Sequence, residues 1–362
     1  MKLSSKIIII FGLMLSTSLL AIPKGPCDII EDVCCESYDN DPYAFTYPKD
    51  VGLPCPSDFY VHGEFLYFRS VEEGLDYILT QDTYTTYPVF PASGSINGFS
   101  INSKEWHWNP GFRVGFGFYT MTDAWNFDTN WTYIRMKGTA NTSNDGDGEL
   151  YALNLPVQSE TELPPVDIPY SLATWNGDLN TLDLMMGKPY HISRYFVSNP
   201  MFGLRTAWID QNYHVRYYLE NVKRNVTLKN SYWGVGLRGL YEGNFLLGSG
   251  CMLYGKGAFS LMYGKFHIDQ ISDAYPTTYE YQVSNNSYKV NSNIELSIGF
   301  KWSKFFNKGQ YLAGINIGYE FHHWWNQNKL RKFYNLNPVS TDTVSRGNLS
   351  FNGLIAGLNI DF

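Results

Sequence analysis

The tightest constraint in this sequence is a two-residue alternation of large apolar with small or polar side chains, repeated in segments of about ten residues. From Trp125, one face reads Trp125, Phe127, Thr129, Trp131 and Tyr133, and the other reads Asn126, Asp128, Asn130 and Thr132. Phe112, Val114, Phe116 and Phe118 oppose Gly111, Arg113, Gly115 and Gly117. Ile294 to Trp302 and Ala313 to Phe321 repeat the pattern. Side chains of an extended chain point alternately to opposite faces, so each segment is a strand with one apolar and one wet face. A soluble β-sandwich alternates too. Ten-residue strands with aromatics crowding their ends point instead to a barrel spanning a membrane, with an interfacial aromatic girdle.

The N-terminus places the chain outside the cytoplasm. Lys2 and Lys6 precede the apolar run Ile7–Leu15 and the small residues Ser16, Thr17 and Ser18, the order of a cleaved secretory signal over residues 1–21. The run is too short for a spanning helix, which needs about 20 residues. No later stretch is apolar enough for one, although aromatics make up 17% of the chain and mean hydropathy is −0.26. Residues 22–58 carry eight acids against Lys24 and Lys49, and residues 138–175 carry six acids and no base. Such acidic blocks cannot neutralise phosphates, which excludes a nucleic-acid partner.

Connections supply an independent count. Short links are expected at Thr120–Asp123, Lys188–Pro200, Gly243–Gly250 and Ser303–Gln310, and long polar ones at 70–104, 138–175, 211–229, 269–288 and 326–346. Their alternation predicts an all-β, antiparallel transmembrane β-barrel over 59–362, with short periplasmic turns, long extracellular loops and periplasmic termini. The expected strands are 59–69, 105–119, 124–137, 176–188, 201–210, 230–242, 251–268, 289–302, 311–325 and 347–362. The count rises to 12 or 14 if the first or third outer link hides a strand pair. The last strand alternates Leu354, Ala356, Leu358, Ile360 and Phe362 against Gly353, Gly357, Asn359 and Asp361. A terminal aromatic so placed resembles the insertion signal read by the barrel assembly machinery, and the expected surroundings are outer-membrane lipid.

Several blocks, in order, also carry a family resemblance: HGEFLYF (62–68), EEGLDY (72–77), WNPGFRVGFGF (108–118), DAWNFDTNWTYI (123–134), LDLMMGKPY (182–190), GLRTAWIDQ (203–211) and GKGAFSLMYGKF (255–266). They resemble the major outer membrane protein family of Legionella, which has relatives in environmental chlamydiae. The resemblance runs from about 59 to 362. It implies an abundant surface barrel with porin-like activity, sometimes serving attachment, and brings no catalytic residue. Residues 22–58 match less clearly.

Three motif matches fail on context. Gly234-x-Gly236-x-x-Gly239 imitates a dinucleotide fingerprint, but Trp233, Val235, Leu237 and Tyr241 alternate around it, so the glycines lie inside a strand. Gly250-x-x-x-x-Gly255-Lys256 has Gly257 where a phosphate loop needs Ser or Thr. His322 and His323 point to opposite faces and cannot share a metal. No cofactor, metal or catalytic constellation is expected.

Cys27, Cys34, Cys35 and Cys55 lie in the N-terminal segment, and Cys251 starts a strand at the inner rim. In an oxidising periplasm these are disulfide candidates. Two intramolecular bridges would staple a segment without its own core and leave one thiol over. The other reading is cross-linking to a second copy or to other Cys-rich envelope proteins. The spacing lacks the paired cysteines of zinc sites.

The wet faces carry Glu64, Asp128, Asp183, Glu295 and Glu320 against Arg113, Arg205, Arg238, Lys256 and Lys301, five of each sign. These lumen-facing charges set either a transverse field for small polar solutes or ion networks that fill the barrel. Two functions follow: a porin-like passive channel for small hydrophilic solutes, or a plugged barrel acting as adhesin or disulfide-cross-linked envelope scaffold. Asp145, Asp147, Glu149, Glu160, Glu162 and Asp167 make 138–175 a solvated loop, an adhesive surface or a weak calcium binder.

Overall fold

The computed structural model describes residues 47–48, 59–81, 94–97, 106–120, 125–144, 149–154, 168–218, 223–275, 281–307, 311–336, 339–344 and 347–362. Ten antiparallel strands form one closed wall: β1 (Phe59–Glu72), β2 (Trp108–Tyr119), β3 (Asn126–Ser143), β4 (Tyr170–Gly187), β5 (Phe196–Tyr218), β6 (Lys223–Gly248), β7 (Cys251–Tyr275), β8 (Tyr281–Phe306), β9 (Tyr311–Asn328) and β10 (Gly347–Asp361). Each pairs with its neighbour in sequence, and β10 pairs with β1 from Asp361↔Tyr60 to Leu349↔Glu72. The Phe362 amide donates to the Phe59 carbonyl at 2.9 Å, so the last residue seals the seam at the short-turn end.

All ten expected strands are present, and the count is ten. Residues 78–81 of the first long link pair with 94–97 on one side and with 149–152 on the other, in a small sheet separate from the wall. Residues 331–336 and 339–344 form a separate hairpin. The short link 188–200 holds a further strand, Tyr190–Ser193, on the end of β5. The link expected at 243–250 is a tight turn, with positive φ at Gly248 (100°), Ser249 (53°) and Gly250 (81°). Glycine tolerates this geometry because it lacks a Cβ. The signal segment, most of 22–58 and much of the acidic loop lie outside the described residues.

Two expected long loops are not loops. Residues 211–218 and 223–229 continue β5 and β6, and 269–275 and 281–288 continue β7 and β8, so these strands reach 23 to 26 residues. A bilayer needs only about 9–11 residues per strand. The reason is a change in the sense of alternation. On β5 the outward side chains are Phe202, Leu204 and Trp208 at first, then Asp210, Asn212, His214 and Arg216, while the inward ones change from Arg205 to Ile209, Tyr213, Val215 and Tyr217. The lower wall is apolar outside and polar inside, as lipid demands. The upper wall is polar outside and apolar inside, as water demands.

The upper interior therefore holds a hydrophobic core. Trp106, Trp175, Tyr213, Tyr217, Leu228 and Phe266 pack there with Leu75, Tyr77 and Ile78, which enter from the segment after β1. The Tyr213 and Tyr217 hydroxyls donate to the carbonyls of Leu75 and Tyr77, each at 2.8 Å. The Leu153 amide donates to the same Tyr77 carbonyl at 3.1 Å.

Two substitutions test the boundary between the storeys. Leu237 is 70% exposed on the lower outer wall. Leu237→Arg is expected to destabilise the barrel by about 2–4 kcal/mol, whereas a charge-conserving change at the higher outward position, Lys229→Arg, leaves stability within about 0.5 kcal/mol. Denaturant unfolding in lipid vesicles reads both; equal stabilities would put residue 237 outside the lipid band.

Candidate functional site

The candidate site is the lower lumen. The structure places all ten sequence-selected charges on inward-facing positions of the wall. It brings seven of them into one assembly and leaves Asp128, Lys256 and Lys301 outside it, towards the short turns.

The first half of the assembly is built on Arg113 of β2. Its Nη1 donates to Glu64 at 2.6 Å and to Glu320 Oε2 at 3.2 Å, its Nη2 to Glu320 Oε1 at 2.5 Å, and its Nε to Thr132 at 3.1 Å. Asn316 Nδ2 donates to the other oxygen of Glu64 at 3.0 Å. The second half is built on Arg205 of β5, which grips Asp183 bidentately through Nε and Nη2, both at 2.6 Å. Its Nη1 donates to Asn293 at 2.8 Å and to Glu295. Arg238 Nη2 donates to the second oxygen of Glu295 at 2.5 Å, and its Nη1 to Ser260 at 3.2 Å.

His322 joins the halves. Its Nε2 meets Glu320, and its Nδ1 lies 3.4 Å from Glu295. Four carboxylates then face three guanidiniums and the His322 imidazole, drawn from seven strands. Arg205 is 3% exposed and Glu320 is 2% exposed. Charges so buried are tolerable only when paired and hydrogen-bonded, which the Arg contacts supply with one exception, Arg238 Nε, 3.6 Å from Asp183.

Below this layer the lumen is wetter. Lys301 Nζ donates to Glu242 at 2.5 Å and stands 4.7 Å from the centre of the Tyr254 ring. The Tyr60 hydroxyl donates to Asn126 at 2.7 Å and to Asp128 at 3.1 Å, and Asn130 binds His62 and Asp128. Lys256 faces inward, half-buried. Above the layer, Asn230 Nδ2 donates to Gln211 Oε1 and to the Gln327 carbonyl, each at 2.9 Å, and Asn291 Nδ2 to Gln327 Oε1 at 2.6 Å. Ion network, amide layer and apolar core thus follow one another up the lumen.

Sequence reasoning missed Glu242 and His322 as members of the inner face. Both share parity with selected residues, Glu242 with Arg238 and His322 with Glu320, and that parity was the available signal. Gly234 belongs to this wall too: the Tyr232 ring lies where a Cβ would stand, which explains the glycine without any nucleotide. Of the disulfide candidates, Cys251 is exposed at the β6–β7 turn and forms no disulfide with a described residue, and Cys27, Cys34, Cys35 and Cys55 lie outside the described residues. Among the described residues no cluster of three or more His, Cys, Asp or Glu side chains could hold a metal ion.

Residues 53–362 match the family described as Legionella pneumophila major outer membrane protein precursor. The chain belongs to this family. The match covers the whole Legionella-type barrel, from just before β1 to Phe362. No curated protein matches the chain. Among solved structures, the outer membrane protease OmpT from Escherichia coli is 9% identical with a TM-score of 0.43, covering 85% of this chain and 98% of its own. Ail, the attachment invasion locus protein of Yersinia pestis, is 7% identical with a TM-score of 0.23, covering 84% and 97%. A Pseudomonas aeruginosa FadL homologue is 5% identical with a TM-score of 0.25, covering 84% and 89%. These are outer-membrane barrels similar in outline only.

Removing one partner from the buried assembly is expected to cost far more than removing both. Arg205→Met should destabilise this Legionella-type barrel by about 3–5 kcal/mol, because Asp183 loses its bidentate partner and Glu295 one of its two guanidinium contacts in a buried site. Adding Asp183→Leu should recover part of that loss. A double-mutant cycle by urea unfolding in micelles gives the coupling, and strictly additive effects would mean that the pair does not interact.

Proposed function

We propose that this protein is a structural barrel of the outer-membrane surface whose lumen is closed by its own side chains, and whose upper storey is a platform held above the outer leaflet. The carrying observation is the sequence of seals along the lumen: eight ionisable groups from seven strands, then the amide layer, then the apolar core closed by Leu75, Tyr77 and Ile78. A barrel of this strand number is narrow, and small barrels are filled by side chains. In this reading the short turns face the periplasm, Phe362 is read by the assembly machinery, and no catalytic step is involved. The exposed Cys251 thiol then lies on the periplasmic rim, which supports cross-linking between envelope proteins.

A porin-like channel is the second reading. It is favoured by the balanced charges at mid-barrel and by the wetter lower lumen, and it requires the 75–78 segment to leave the mouth. Planar-bilayer recording separates the two. Folded wild-type protein is expected to show no persistent conductance steps, and Leu75→Ser with Tyr77→Ser, which loosens the apolar seal, is expected to raise the frequency of openings. Regular long-lived channels from the wild type would overturn the closed-barrel reading. In that case Arg113→Glu should shift the reversal potential.

A further inference from the structure

The outer face of the upper wall carries a polar concavity of about 480 Å³ at the end of β5 and β6, within the size range of small-ligand sites. Arg216 and Tyr218 of β5 stand opposite Asn225 and Lys223 of β6, and Asp273 of β7 stands opposite Asn225. Arg216, Lys223 and Asp273 are exposed. Neither Arg216 nor Lys223 forms an ion pair with a described residue, although the chain as a whole has a formal charge of −7. Lys223 Nζ lies 5.7 Å from the centre of the Tyr218 ring, which is itself 5.4 Å from the Tyr170 ring. Burial, followed by the positive charges of Arg216 and Lys229, holds the nearby His214 imidazole below its ordinary pKa. A concave positive patch on an acidic protein selects an anion. The guanidinium takes an oxyanion in a bidentate grip. The Asn225 amide, the Asp273 carboxylate and the tyrosine ring offer what hydroxyls and a ring face need.

We propose that this concavity binds an anionic saccharide, one bearing sulfate, phosphate or carboxylate. The proposal rests on the reading of the long-loop end as the cell exterior. Arg216 is eight residues beyond the outward-facing Trp208 on the same strand, which places it roughly 20 Å above the aromatic girdle for a tilted strand. The concavity looks sideways rather than up. At that height and in that direction stand the anionic core sugars of the surrounding outer-leaflet lipid, and the same chemistry is met on a foreign glycan.

The test uses the full-length chain folded in detergent micelles and two probes, a phosphate-bearing core oligosaccharide released from lipopolysaccharide and a heparin-derived sulfated hexasaccharide. At least one is expected to bind with a Kd tighter than about 1 mM, more weakly as salt rises. Preference for the first assigns the site to the surrounding lipid, preference for the second to a foreign glycan, and equal affinity to the anionic class as such. Arg216→Ala with Lys223→Ala should weaken binding at least about tenfold, as loss of two charge-assisted contacts requires. Tyr218→Ala should weaken it too, whereas Tyr218→Phe and the distant Lys188→Ala should not. Binding of neither probe, or binding that survives the double substitution, would overturn the proposal. Lys223→Cys treated with an impermeant maleimide on intact cells tests the orientation separately. A labelled thiol supports the exterior placement, and an unlabelled one in folded protein overturns it whatever the binding result.

Discussion

Everything in this structure depends on the seam between β10 and β1. In hydrocarbon no water is available to satisfy a free amide or carbonyl, and each unsatisfied group costs several kcal/mol, so a sheet can cross only when its two edges meet. The thirteen register pairs from Asp361↔Tyr60 to Leu349↔Glu72, continued by the Phe362 amide, join the ends of the chain. Closure also creates the lumen. Side chains that would be solvated on an open sheet are forced together across a narrow interior.

That confinement accounts for the charge assembly. Arg113, Arg205 and Arg238 are separated by long stretches of sequence, yet each reaches carboxylates on other strands. Burying them is tolerable because the guanidiniums meet carboxylates in paired contacts and His322 bridges the two halves. In the closed-barrel reading the assembly is a seal as well as a set of ion pairs. The same closure lets the upper storey act as a soluble barrel. Once the outer face leaves the lipid, the apolar side chains turn inward and bury Trp175 and Tyr217 around the segment that carries Leu75 and Tyr77.

Two environments along one strand explain why some elements were legible in the sequence and others were not. The lipid-facing segments stand out because aromatic and aliphatic side chains recur at every second position, as in Phe112 to Phe118. Their extensions, such as Gln211 to Tyr218, alternate equally strictly but with charged and amide groups on the outward face. Polarity alone reads as a loop there, and only the pairing of Tyr213 with Leu228 and of Val215 with Val226 shows a wall. The inner charges were legible by parity, since any polar side chain opposite a lipid-facing one must point inward. Glu242 and His322 follow the same parity without standing out, one at the end of the strand expected over 230–242 and the other in a histidine pair.

An antiparallel barrel of about ten strands, the face of each lumen charge and the aromatic end that closes the wall can all be read along the chain. These are local consequences of a period of two and of the contrast between lipid and water. Tertiary structure alone decided that the barrel rises well beyond the membrane, that its loops supply an apolar closure and that seven of the ten charges meet. Those features depend on which strands lie opposite one another across the lumen, and alternation along a single strand carries no information about that distance.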